Sequence, residues 1–264
     1  MQTRMRIAVV GATGRVGHHV AEVLAERGIE VVPIARSLGV DVITREGLAE
    51  ALAGADAVVD ASTWPTPDEA EATRFFTTAA ANLHELGSAA GVRRLVIVSI
   101  IGTDHFEGGY GKAKFAHEKA TLAGPIPSRV LRAAQFHEFV EELVGWATRD
   151  DVATLPDMRT QLVAARTVGA ALADLVTAPD SEFTPGAAGT LLEVAGPREE
   201  RLPEAARLLV ARRGDDLRIE VGSDPNDPYS TVAASGALLP GPDATLGGPT
   251  YAEWLEANVP VASR

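Results

Sequence analysis

Tyr110 and Lys114 stand four residues apart in the run Tyr110-Gly111-Lys112-Ala113-Lys114. On a helix this spacing puts a phenol and an ammonium on one face. A neighbouring cation favours phenolate, so the spacing predicts a phenol pKa below its ordinary ~10. Such a phenol suits proton transfer to a carbonyl oxygen as hydride reaches the carbon, or the reverse. Ser99 ends the apolar run Val96-Ile97-Val98 and precedes Tyr110 by eleven positions; its hydroxyl is placed to orient that carbonyl and to stabilise developing negative charge. The chain has 24 Lys and Arg together, yet its lysines are only Lys112, Lys114 and Lys119, all in this one segment.

A second pattern lies at the N-terminus. Gly11-Ala12-Thr13-Gly14-Arg15-Val16-Gly17 follows the apolar run Ile7-Ala8-Val9-Val10 and precedes a segment of helical period. Glycines at this spacing permit a tight turn, close approach of backbone amides to a pyrophosphate, and close packing of the next helix on the strand. The helix N-terminus adds unpaired N–H groups and partial positive charge. Gly11, Thr13, Gly14, Arg15, Val16 and Gly17 are therefore expected to contact a dinucleotide. The second strand ends in Ala35-Arg36-Ser37 with no acidic residue at the turn. A guanidinium at Arg36 and a hydroxyl at Ser37 fit a 2′-phosphate, which favours NADP(H) over NAD(H). Asp41, a little downstream, is the acidic group that would lie near the adenine.

Ala61, Ser62 and Thr63, after the fourth expected strand, are expected beside the cofactor, with Lys114 on the nicotinamide ribose. Trp64, Gln135, Phe136 and His137 are expected to face a substrate. His137 and Glu141 have metal-ligand spacing but no third ligand, so no metal site is expected. His117 is read as structural, and His18 and His19 as half-solvated residues near the start of the first helix.

Behind these residues the first half alternates short apolar runs with helix-period segments, the mark of βαβ units and a parallel sheet. Strands are expected at 7–10, 30–35, about 40–42, 55–61, 95–100 and 129–133. The helices between them are expected at 16–27, 45–52, 67–90 and 110–122. Later, helices are expected at 138–148, 168–177, 202–212 and 251–257, and strands at 191–194 and 218–221. Residues 224–249, rich in Pro, Gly, Asp and Ser, read as loop. The expectation is a single domain over 1–264, with a cofactor-binding core at 1–135 and mostly a substrate cap, with interleaved elements, at 136–264.

Composition narrows the function. The 264 residues are 46% hydrophobic and 23% charged, values ordinary for a globular protein. A formal net charge of −12 argues against nucleic-acid or anionic-membrane partners. Without cysteine there is no disulfide, thiolate nucleophile or Cys-ligated metal. No apolar run approaches the ~20 residues of a membrane span. The start runs into a strand rather than a signal segment, so the cytoplasm is the expected location. A small-molecule substrate and a monomer or homodimer complete the expectation.

The pieces GATGRVG (11–17), LVIVSIIGTD (95–104), YGKAKFAHEK (110–119) and VLRAAQFHEF (130–139) resemble an atypical short-chain dehydrogenase/reductase of the NAD(P)-binding, NmrA-like group. LLEVAGP (191–197) and TYAEWL (250–255) resemble it more loosely. The resemblance implies a Rossmann-type, doubly wound α/β fold, NADP(H) use, and a small C-terminal region capping the nicotinamide. By position it implies Ser99, Tyr110 and Lys114 as a reductase trio. Three activities stay open: reduction of a small carbonyl compound, reduction of a quinone, and non-catalytic sensing of NADP(H).

Overall fold

Ile7, Ala8 and Val9 are wholly shielded from solvent, the condition under which a strand can be apolar at successive positions. A computed structural model of the chain describes residues 5–183, 191–222 and 228–261. Along its first half β1 (Arg6–Val10), α1 (Gly17–Glu26), β2 (Glu30–Ile34), α2 (Leu48–Leu52), β3 (Ala57–Asp60), α3 (Glu69–Ala90), β4 (Arg94–Ile100), α4 (Gly109–Leu122) and β5 (Ser128–Ala133) alternate. There follow α5 (Phe139–Ala147), β6 (Thr148–Arg149), β7 (Val152–Leu155), β8 (Arg159–Thr160), α6 (Ala165–Thr177) and β9 (Leu191–Ala195). The last elements are β10 (Glu200–Arg201), α7 (Leu202–Arg213), β11 (Arg218–Val221), α8 (Pro228–Ser235), β12 (Thr245–Leu246) and α9 (Tyr251–Asn258).

Seven strands form one sheet in the order β12-β9-β5-β4-β3-β1-β2. β1 pairs in parallel with β2 on one side (Ile7 opposite Val31) and with β3 on the other (Ile7 opposite Ala57). The chain thus leaves β1 in one direction and returns across it. Such a reversal opens a crevice outside the carboxyl ends of β1 and β3, where open α/β sheets bind ligands.

The chain forms two compact units. The first comprises Met1–Ser99, Gly108–Arg132 and Val168–Leu192; the second comprises Ile100–Glu107, Ala133–Thr167 and Glu193–Arg264. In the first, Ala8, Val10, Val58, Leu95 and Ile97 from the sheet pack against Leu48, Leu52 and Leu83 from helices. In the second, Val140, Met158, Leu162, Leu202, Leu209, Leu238, Tyr251 and Leu255 make a separate core. A three-stranded sheet, β11-β7-β6, and the β10-β8 pair belong to the second unit.

Three expectations need correcting. Residues 40–42 form no strand, because Asp41 Oδ1 accepts from the backbone N–H groups of Ile43 (2.6 Å) and Thr44 (3.2 Å) and closes the segment as a turn. α2 begins at Leu48 rather than Arg45, since Arg45 adopts φ +71°, outside the helical region. Part of the stretch read as loop, 224–227, lies outside the described residues, but α8 and β12 occupy others. α8 opens on Pro228, tolerated in a first helical turn, and Gly236 at φ +84° follows its end. The short strands β6, β7, β8 and β10 had no visible sequence signal. No described helix is long and apolar enough to cross a membrane.

Candidate active site

The glycine turn is built by backbone contacts that leave no room for side chains. Gly11 has φ +73°, and a Cβ there would lie 2.7 Å from the carbonyl oxygen of Ala61. A Cβ on Gly17 would overlap the carbonyl oxygen of Gly11. Gly11 N–H donates to Ile34 O at 2.9 Å, and Gly14 N–H donates to Gly11 O at 2.9 Å. α1 then starts with buried Val16 as N-cap, and no side chain caps it. The first-turn donors of α1 therefore have no capping side chain, the arrangement that suits an anion. Thr13 is exposed and Arg15 half-buried at this turn, while His18 is exposed and His19 half-buried, as expected.

Arg36 and Ser37 are exposed in a short 3₁₀ turn after β2. The Arg36 guanidinium lies over the Trp64 ring, 4.9 Å from its centroid. Trp64 also donates from Nε1 to Glu71 Oε1 at 2.7 Å and stacks on Phe75. The structure therefore brings together Arg36, expected at the cofactor, and Trp64, expected at the substrate.

The loop after β3 connects the glycine turn to α4. Ala61 is buried, and Ser62 N–H donates to Asp60 Oδ1 at 2.8 Å. The Thr63 and Tyr110 hydroxyls are 2.7 Å apart. The hydroxyl oxygens of Ser62 and Ser99 are buried with no hydrogen-bond partner among the described residues. Buried orphan hydroxyls are rare, and a ligand or water is their ordinary partner.

α4 carries the phenol and the ammonium. Gly109 N–H donates to Glu69 Oε2 at 2.9 Å where the helix begins. Tyr110 is half-buried with its ring edge-to-face on Phe76. Lys114 is 4% exposed; its Nζ donates to Val98 O at 2.8 Å and lies 3.1 Å from His117 Nδ1. Burial lowers the Lys114 pKa to about 8, against the opposing charges of Asp60 and Glu118. His117 Nε2 in turn lies 3.3 Å from Asp60 Oδ2, both groups being fully enclosed. Burial, with Lys114, pushes the imidazole pKa down. Burial raises the Asp60 carboxyl, but His117 and Ser62 outweigh it and leave the group below the usual carboxylate range. An imidazole that accepts from Lys114 at Nδ1 carries its hydrogen on Nε2, which faces Asp60 Oδ2 at ion-pair distance without hydrogen-bond alignment.

This geometry corrects the expectation for Tyr110. Its pKa is raised, first by burial and further by the charge of Asp60, with the Thr63 bond opposing. The Lys114 ammonium is engaged with Val98 and His117 and does not stabilise phenolate. From sequence, Asp60 had no part and His117 a structural one; the structure brings His117 to 3.3 Å from Asp60 and 3.1 Å from Lys114. The three-residue step from Lys114 to His117 was the available signal; Asp60, far off in sequence, gave none.

Gln135, Phe136 and His137 belong to the second unit. Gln135 Oε1 accepts from the Thr160 hydroxyl at 2.5 Å, and Phe136 bridges to Val163 through the backbone. His137 Nε2 is 3.1 Å from Pro249 O, and its ring lies against Tyr251 and Trp254. Its buried Nδ1 has no partner among the described residues. Glu141 pairs with Arg213 at 2.7 Å. Among the described residues, the one group of three potential ligand side chains close together is His18, His19 and Glu22.

The sheet order, the glycine turn and the uncapped α1 define an NAD(P)-binding Rossmann-type protein of the short-chain dehydrogenase/reductase-like superfamily. Within it the chain belongs to the family described as the RmlD substrate binding domain, whose model matches residues 5–178. A 4-hydroxy-tetrahydrodipicolinate reductase of Natronomonas pharaonis is 32% identical over 249 residues, 92% of this chain and 85% of that protein. The NADPH-dependent quinone oxidoreductase QOR2 of Escherichia coli, complexed with NADPH, has a similar fold (TM-score 0.68, 19% identity, covering 95% of this chain and 99% of that one). So does TunA, an NAD-dependent NDP-hexosamine 5,6-dehydratase (TM-score 0.67, 15% identity, 97% and 99% covered). WbmG of Bordetella bronchiseptica, in complex with NAD, matches at TM-score 0.65 and 18% identity, with 97% and 96% covered. The resemblance seen in the sequence thus holds at the level of the superfamily, and the matched family is that of the RmlD domain.

Proposed function

We propose that the chain is a cytoplasmic NADPH-dependent reductase acting on a small carbonyl compound. The observation that carries this reading is a run of contacts: Gly11 packs on Ala61, and two residues on, Thr63 meets the Tyr110 hydroxyl at 2.7 Å. The same loop therefore touches the glycine turn and the phenol. The glycine turn and the α1 N-terminus would hold the pyrophosphate, Arg36 and Ser37 the 2′-phosphate, and Lys114 the nicotinamide ribose. The bound nicotinamide supplies hydride. Tyr110, a neutral phenol whose pKa burial raises further, gives its proton to the substrate oxygen once charge develops there. Thr63 fixes the direction of the phenolic O–H, and Ser99 Oγ, buried and without a partner among the described residues, takes the same oxygen as a donor.

Tyr110→Phe tests the assignment. Loss of a positioned general acid lowers turnover by about 10²–10⁴-fold, and calorimetry should show NADPH affinity unchanged. A second reading, quinone reduction, is favoured by one observation: burial and the charge of Asp60 raise the Tyr110 pKa and leave it a weak acid. Quinone turnover that survives Tyr110→Phe would select that reading and remove the first. For the cofactor, Arg36→Ala should weaken NADP binding about tenfold or more through loss of a charge-assisted bond while NAD binding stays the same. Equal losses would take away the case for the 2′-phosphate.

A further inference from the structure

We propose that Asp60 and His117 are positioning residues for Lys114, a buried carboxylate–imidazole pair that fixes the direction of its ammonium and holds it as a cation. The inference rests on the reading of Lys114 as a cofactor-holding group.

The geometry runs in one line. Asp60 Oδ2 faces His117 Nε2 at 3.3 Å, and His117 Nδ1 faces Lys114 Nζ at 3.1 Å. Val98 O takes a second hydrogen of the ammonium at 2.8 Å. Two acceptors at fixed angles set the rotation of a tetrahedral –NH₃⁺ and direct its third hydrogen away from both. Phe76 on α3 lies flat on the imidazole (20° between planes) and supports the ammonium 4.4 Å from its centroid.

The charged groups around the pair can be named. Asp60 comes from the end of β3; Lys114, His117 and Glu118 come from α4, and Arg132 from β5. Arg132 binds both Glu118 oxygens, at 2.9 and 2.7 Å, so that pair adds little net charge. Tyr110 is a neutral phenol. Asp60 is thus the anion that answers the ammonium, and it does so through the imidazole. It also selects the tautomer: without it, Nδ1 is free to carry the hydrogen and would oppose the ammonium N–H. Enclosing three ionisable groups is costly unless they compensate one another.

The chain's three lysines make a direct test possible. Lysine labelled with ¹³C at Cε gives three signals in the full-length protein, and Lys114→Arg assigns the one of interest. In the wild type that signal should titrate near about 8. Asp60→Asn and His117→Phe should each lower the midpoint by about one pH unit or more. His117→Asn, whose amide oxygen can stand in for Nδ1, should recover much of the shift. Lys112 and Lys119 should not move, which also reports that the variants are folded. A Lys114 midpoint unchanged in both variants overturns the proposal. Should the variants not fold, the ¹⁵N imidazole shifts of the wild type decide: a neutral Nε2–H tautomer at neutral pH supports it, and Nδ1–H or imidazolium overturns it. NADPH affinity separates this inference from the reading beneath it. A shifted midpoint with unchanged affinity keeps the positioning role and removes Lys114 from the cofactor.

Discussion

The two units bury polar groups in different ways. The first encloses ions: Asp60, Lys114, Glu118 and Arg132 are each no more than 8% exposed, and each faces an opposite charge directly or through His117. The second encloses neutral groups. Gln135 takes the Thr160 hydroxyl, Gln161 donates to Gly196 O at 2.7 Å, and His137 meets a backbone carbonyl. Two of the buried histidines, His117 and His137, sharpen the contrast. His117 lies 3.3 Å from the Asp60 carboxylate and 3.1 Å from the Lys114 ammonium, whereas His137 lies among aromatic rings beside a backbone carbonyl. Charge in a protein interior is costly unless partners are fixed in advance. The first unit supplies such partners from the ends of β3, β4 and β5 and from one helix.

The comparison can be broken in three places. The largest effect should come from Glu118→Gln, which leaves Arg132 enclosed without its carboxylate and should destabilise the fold by about 3–5 kcal/mol, read by urea unfolding. A cost near that of a surface substitution would mean that the first unit does not depend on its paired ions. The next concerns acid. The His137 pKa in the folded chain is about 4, against an ordinary 6.5. As pH falls, the unfolded chain takes the proton first, so stability is lost from 6.5 down through 4. Between about pH 7 and pH 4 the wild type should lose about 3 kcal/mol more than His137→Phe. Parallel unfolding curves would show that the second unit does not hold a neutral imidazole. The smallest effect should come from Arg159→Ala, which removes an exposed bidentate pair with Glu199 at 2.7 and 3.0 Å. No measurable change in melting temperature is expected, since exposed pairs trade one solvated state for another.

What the sequence disclosed follows the same division. The glycine turn, the strands covered on both faces and the Tyr110–Lys114 helix were legible because each rests on local periodicity or on spacing along one element. The turn at 40–42 was not, since a single Asp41 carboxylate reaching two backbone amides overrode the apolar Val40 and Val42. α8 was hidden among residues that usually break helices. The Asp60–His117 contact joins a strand end to a helix more than fifty positions later, and no local pattern announces such a pairing. The raised pKa of Tyr110 comes first from burial and then from the charge of Asp60, neither of which helical spacing reports.

The chain passes from one unit to the other five times, at 99/100, 107/108, 132/133, 167/168 and 192/193. Neither unit is thus a continuous stretch of gene. A single-crossover chimera with a relative, joined anywhere inside 100–192, would shuffle both units at once, and transplanting either alone would require several splices made together. Point substitution is the simpler route by which an engineer could retune one unit while leaving the other as it is.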